Sequence, residues 1–315
     1  VRVIYSPRYA IDIGVHVFPT EKYRLVLSRL LATGVIEAAD VIEPEPATWD
    51  QLALVHTEAY LGHLRRGTLP PDEVARLELP ASRPVIEGFR LMVGGTITAA
   101  RLACGLRRHG PGGGRRSHSR NAERVVVHLG GGLHHAFPDH GEGFCPFNDV
   151  AVAVRVLQRE GVSRAAIVDL DVHHGNGTAF VFASDPSVFT CSIHQQHNYP
   201  SWKPPGSLDI GLPDGAADGR FLAEVNRALE RVAATAPECV LYLAGADPYE
   251  DDQLGGLRVT QDGLRQRDRL VIDMCRTLGV PLVITLAGGY ARRLEDTVAI
   301  HAATVEEARA ALAQN

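Results

Sequence analysis

The chain has 315 residues, 45% of them hydrophobic and 22% charged, with a formal net charge of -5. That balance is too apolar for a disordered chain and too weakly charged for whole-protein attraction to nucleic acid, so a folded, soluble protein with no direct nucleic-acid binding is expected. Five scattered cysteines (Cys104, Cys145, Cys191, Cys239, Cys275) form no C-x-x-C pair, no apolar run approaches the about 18 residues of a bilayer span, and no signal-like pattern opens the chain. A reducing, cytoplasmic setting is expected, without a disulfide framework, thiolate zinc site or membrane span.

Short runs rich in Val, Ile and Leu predict buried strands at Val1 to Tyr5, Arg124 to Leu129, Ala165 to Leu170, Val188 to Ile193, Val240 to Ala244 and Leu282 to Ala287. Helical spacing predicts helices over Pro84 to Leu106, Asp149 to Arg159, Phe221 to Ala234 and Gly263 to Leu278. Gly94 and Gly95 weaken the first of these unless a close neighbour needs their lack of a side chain. This alternation implies an α/β fold, an open, mainly parallel sheet with helices on both faces. Arg107 to Glu123, RRHGPGGGRRSHSRNAE, is the one strong compositional break and reads as a surface loop within a single domain spanning residues 1–315.

Eight of the fourteen histidines fall between positions 128 and 197. Polar segments follow the predicted strands at Gly130 to His135, Asp169 to His174, Ser192 to His194, Gly245 to Asp247 and Gly288 to Tyr290, where an open α/β sheet gathers its ligands. In the run Asp169-Leu170-Asp171-Val172-His173, alternation puts the two carboxylates and the imidazole on one side and the apolar residues on the other. A lone D-x-H is commonly a turn at a strand end; here Asp247, also at a strand end, supplies a second acidic site. Asp171, His173 and Asp247 then give three ligands and one open position, as a catalytic zinc requires. Two anionic ligands neutralise Zn²⁺, so its water is acidified less than at an all-imidazole site and further acid–base groups are needed. His134 and His135, behind three glycines, titrate in the right range. Tyr290, after Gly288 and Gly289, can donate to an oxygen on which negative charge develops.

The segments HLGGGLHHAF, GEGFCPFND, AAIVDLDVHHGNGTAF, CSIH, LAGADPYEDDQLGGL and LAGGY together resemble the histone deacetylase family, in order and spacing, from about Val1 to Tyr290. VIYSPRY, VGGTITAAR and DQLGGL look most like its class IV branch and bacterial relatives. The resemblance implies an arginase/deacetylase-like fold and hydrolysis of Nε-acyl-lysine in a protein or peptide, with zinc, or ferrous iron, on Asp171, His173 and Asp247. It implies His135 as general base and then acid, facing Asn176; His134 as an electrostatic partner paired with Asp169; and Tyr290 as oxyanion donor. Phe144 would wall the acyl-lysine tunnel, with Gly143, Gly288 and Gly289 against the substrate. Potassium would bind at Asp169 and Ser192 with main-chain oxygens of Asp171, His173 and Ile193, and a second monovalent ion at Phe182, Asp185 and Val188. The class IV likeness further implies a preference for long fatty-acyl chains.

Ser82 stands where many members carry an acidic rim residue, Ala287 where many carry glycine, and Gln195 to Pro205 departs from the class I tunnel segment, leaving His197, Tyr199 or Trp202 to line the entrance. Three other functions compete. An acylpolyamine or other small acylated amine as substrate would draw on mouth acids such as Glu250, Asp251 and Asp252. A two-manganese ureohydrolase needs a D-x-H-x-D run that Val172 and Asn176 do not provide. A non-catalytic acyl-lysine-binding scaffold is disfavoured by retention of every reactive group.

Overall fold

A computed structural model describes residues 1–106 and 124–313; the loop expected at 107–123 lies outside them. Eight strands, β1 (Arg2–Ile4), β2 (Val41–Ile42), β3 (Val125–His128), β4 (Ala165–Asp169), β5 (Val188–Gln195), β6 (Leu208–Leu212), β7 (Cys239–Leu243) and β8 (Leu282–Thr285), form one sheet in the order β2-β1-β3-β8-β7-β4-β5-β6. Every neighbouring pair is parallel, so each return crosses over the sheet. All residues of β4, β7 and β8 are buried. Since successive side chains point to opposite faces, both faces are covered, which is why these strands read as unbroken apolar runs.

The ten α-helices among the described residues are α1 (Lys22–Ala32), α2 (Trp49–Leu52), α3 (Glu58–Arg66), α4 (Pro71–Leu77), α5 (Arg83–Ala103), α6 (Asp149–Arg159), α7 (Asn176–Phe182), α8 (Asp218–Ala234), α9 (Gln261–Leu278) and α10 (Leu294–Ala313). Gly94 and Gly95 lie in α5 because the chain crosses it closely: a Cβ on Gly94 would fall 1.9 Å from the Glu45 carbonyl oxygen, and one on Gly95 would fall 2.3 Å from His128 Nε2 and Tyr9 Oη. The sequence reading omits both edge strands. β2 is two half-buried residues, and β6 alternates between exposed and buried positions, so neither forms an apolar run. All five cysteines are free thiols. No helix among the described residues is long and apolar enough to cross a membrane.

The order of strands positions the site. β7 and β8 insert between β3 and β4, so β3, β8, β7, β4 and β5 are consecutive neighbours. The five polar segments of the sequence therefore emerge side by side at one edge of the sheet.

Candidate active site

β4 ends at Asp169, two residues before the first metal-capable side chain. Asp169 Oδ1 accepts from the Asp171 N–H at 3.2 Å, and Asp171 Oδ1 accepts from the His173 N–H at 3.0 Å. Two successive aspartate turns thus replace the extended chain expected here. The alternation survives, with Leu170 and Val172 fully buried and Asp171 and His173 turned toward Asp247. One ligand atom each from Asp171, His173 and Asp247 lies within 4.8 Å of the others. His173 Nδ1 is 3.0 Å from Asp171 Oδ1 and 3.4 Å from Asp247 Oδ2. Two ligands of a tetrahedral ion at about 2.0–2.1 Å lie roughly 3.3 Å apart, so this spacing suits a divalent metal.

The unused hydrogen-bonding capacity agrees. Asp247 Oδ1 accepts from the Val172 N–H at 2.9 Å, and Asp171 Oδ2 accepts from the Gly288 N–H at 2.8 Å. Asp247 Oδ2 is buried with no hydrogen-bond partner. A buried carboxylate oxygen left this way calls for a cation.

Beside the trio, His134 Nδ1 is 2.7 Å from Asp169 Oδ2, His135 Nδ1 is 2.7 Å from Asn176 Oδ1, and the two Nε2 atoms face each other at 3.1 Å. Burial opposes charge on His134, but Asp169 and Asp171 raise it to about 9. Burial, then the positive His134, push His135 well below the ordinary imidazole range. His134 is therefore the charged ring of the pair and His135 the neutral one. Asp149 anchors the loop that carries the pair, accepting from the Gly132 and Leu133 N–H groups at 3.0 and 2.7 Å.

Asp171, His173, His134, His135, Gly143, Phe144, Gly288 and Tyr290 line a cavity of about 30 Å³ whose wall also includes Phe18, Tyr23 and Leu133. The Histone deacetylase domain model matches residues 16–305, and with it the whole of this constellation. The chain belongs to the histone deacetylase family. It is 40% identical over 310 residues to an uncharacterised protein of a Picosynechococcus strain, each chain being covered to 98%. It is 31% identical to histone deacetylase 2 of Arabidopsis thaliana, covering 95% of this chain and 78% of that one. The crystal structure of a histone deacetylase homologue from Aquifex aeolicus superposes with a TM-score of 0.78 at 25% identity, covering 96% of this chain and 82% of that one. The chain is thus a hydrolase of the arginase/deacetylase fold.

Within this family member, the Tyr290 phenol is held protonated, its pKa raised well above the usual value by burial and by Asp171 and Asp247. Its main chain is fixed by Asp252, whose Oδ2 accepts from the Tyr290 N–H at 2.7 Å. Asp252 is buried, so it is not the rim acid read from the sequence, whereas Asp251 pairs with Arg292 at 3.3 Å on the surface. Tyr199, not His197 or Trp202, stands over the histidines: its ring is 4.9 Å from that of His135, while Trp202 stacks on Phe137 and His197 is exposed beside Asp214. Gly143, at φ +52, must be glycine, since a Cβ there would come within 2.7 Å of the His135 ring. Ala287 adopts φ +53, in the left-handed region that alanine disfavours.

Two of the residues at which the resemblance implies potassium, Asp169 and Ser192, are adjacent. Asp169 pairs in register with Ser192, whose Oγ lies 3.0 Å from His194 Nδ1. Phe182, Asp185 and Val188 lie at the far end of β5, where Asp185 bonds to Arg155 and Ser187. Sequence reasoning missed Lys22. Its ammonium is fully buried, donates to the Ala287 carbonyl at 2.8 Å and lies 5.6 Å from the Tyr290 ring centroid. Burial lowers it to about 8, against the attraction of Asp247, Asp171 and Asp252. No sequence signal marks it, because its partner is 265 positions away.

Proposed function

We propose that the chain, as a single domain, hydrolyses Nε-acetyl-lysine in a protein or peptide with a zinc ion held by Asp171, His173 and Asp247. The observation that carries this reading is the convergence on one cavity of a buried three-ligand group, a neutral histidine with an accepting nitrogen and a protonated buried phenol. When bound, the metal supplies a Lewis acid that polarises the scissile carbonyl and acidifies water. His135 takes a proton from the attacking water at Nε2 as the new C–O bond forms and returns it to the leaving lysine amine as the amide C–N bond breaks. His134, charged against Asp169, holds His135 neutral beforehand. Tyr290 donates to the oxyanion as it develops. Phe144 and Tyr199 bound the channel for the lysine stem. Potassium at Asp169, Ser192 and the neighbouring main-chain oxygens would temper the field around His134, and Phe182, Asp185 and Val188 are the second monovalent site of the same reading.

The small size of the cavity, about 30 Å³ with Phe18, Tyr23 and Leu133 in its wall, supports acetyl over the long chains that the class IV likeness implies. The test is kcat/KM on one peptide bearing acetyl-, octanoyl- or myristoyl-lysine, beside acetylated polyamines. The acetyl peptide should lead and the value should fall with chain length. Faster turnover of myristoyl-lysine or of a polyamine would replace the proposed substrate, and no turnover of any would end the deacylase reading.

A further inference from the structure

We propose that Glu142 is a positioning residue: by accepting the Asn176 side-chain N–H, its carboxylate sets the tautomer of His135. The proposal rests on the reading of His135 as general base.

Glu142 lies in the turn Gly141 to Cys145, closed by the Cys145 N–H donating to the Glu142 carbonyl at 3.0 Å. Its side chain is 15% exposed. Oε1 accepts from Asn176 Nδ2 at 2.6 Å and from the Tyr199 hydroxyl at 3.1 Å. Oε2 lies 3.5 Å from His140 Nε2, and Asp139 holds the other nitrogen of that ring at 2.8 Å. Burial opposes its ionisation, but His140, Asn176 and Tyr199 together hold the carboxyl below its usual range.

The consequence follows from donor and acceptor inventory. An ionised carboxylate only accepts, so the NH₂ end of Asn176 must face Glu142. The carbonyl end then faces His135, 2.7 Å from Nδ1. A carbonyl oxygen also only accepts, so Nδ1 must carry a proton, and in the neutral ring Nε2 is left as the acceptor. Among the described residues no third side chain bonds to this amide. An asparagine amide is nearly symmetric in shape, so without Glu142 it could turn over and offer N–H to Nδ1. The ring proton would move to Nε2, and His135 could no longer take a proton from water. Glu142 thus acts on the base through one intervening amide, as a carboxylate orients a catalytic imidazole directly in other hydrolases.

The experiment uses the full zinc-loaded chain with ¹⁵N-labelled histidine, in which protonated and bare ring nitrogens resonate far apart. The His135 signals are identified by their loss in H135A. Wild type should show Nδ1 protonated and Nε2 not directly protonated. E142A should move the proton toward Nε2 and lower kcat by roughly 10- to 100-fold with little change in KM. E142Q, which keeps the shape of the turn but can donate or accept, should show both tautomers and an intermediate kcat; it carries the test if E142A does not fold. An unchanged tautomer in both variants, or a changed tautomer with wild-type kcat, would overturn the proposal. A wild type inactive on every acyl substrate would instead overturn the deacylase reading, since the spectrum reports the tautomer without substrate.

Discussion

Gly288 tests the metal centre by steric means, without touching a ligand. A Cβ added there would lie 1.9 Å from Asp247 Oδ2 and 2.5 Å from Asp171 Oδ2, where ordinary contact begins near 3.4 Å. Asp247 Oδ2 would have to retreat by about 1.5 Å, whereas metal–ligand bonds tolerate roughly 0.2 Å. Gly288→Ala should therefore weaken zinc binding by at least about 100-fold while costing the fold only about 1–3 kcal/mol of overpacking. Gly245→Ala, whose Cβ would meet Asp171 Cα and Asp247 Oδ1 at 2.8 Å, should be intermediate. Gly219→Ala, exposed in α8 with nothing within 4 Å, should bind zinc as wild type does. The assay is competition against a chromophoric chelator, with urea unfolding as the check on folding. Wild-type affinity in Gly288→Ala would refute the placement of the metal between these carboxylates.

Tyr290→Phe should lower kcat by roughly 10²- to 10³-fold with KM nearly unchanged, because the phenol donates chiefly to charge that appears in the transition state; a wild-type kcat would remove it from the reaction. Stability should fall on mild acidification. His56 donates from Nδ1 to the Phe137 carbonyl at 3.0 Å and accepts at Nε2 from the Asn148 N–H at 3.1 Å, so only the neutral ring fits, and burial depresses it to about 4. Burial likewise takes His128 to about 3. Because these folded pKa values lie below the unfolded value near 6.5, the unfolded chain binds more protons below that pH; the stability is complete above it and is lost as pH falls toward 4, by a few kcal/mol for each ring. Urea unfolding at pH 7, 6 and 5 checks this, and a flat profile would contradict it.

The three central strands were legible because burial on both faces makes their sequences continuously apolar, and the metal trio because its members follow those strands directly. The edge strand β6 was not, since half its residues face solvent. Lys22 and Asp252 were invisible as site residues for another reason. Lys22 sits in a helix with polar neighbours, and Asp252 sits among acids that do stay in solvent, so only tertiary contacts show them reaching Ala287 and Tyr290. The choice of Tyr199 over Trp202 likewise depends on where a loop places two similar rings, which side-chain type does not encode.

The most direct test of a metal-dependent hydrolase built on Asp171, His173 and Asp247 is a zinc titration of the metal-stripped chain, read as acetate released from an acetyl-lysine peptide. Turnover should be absent at the start, rise linearly and level off at one zinc per chain, and stay absent in Asp247→Ala at the same zinc levels. Turnover by the stripped chain, or equal turnover by Asp247→Ala, would contradict it.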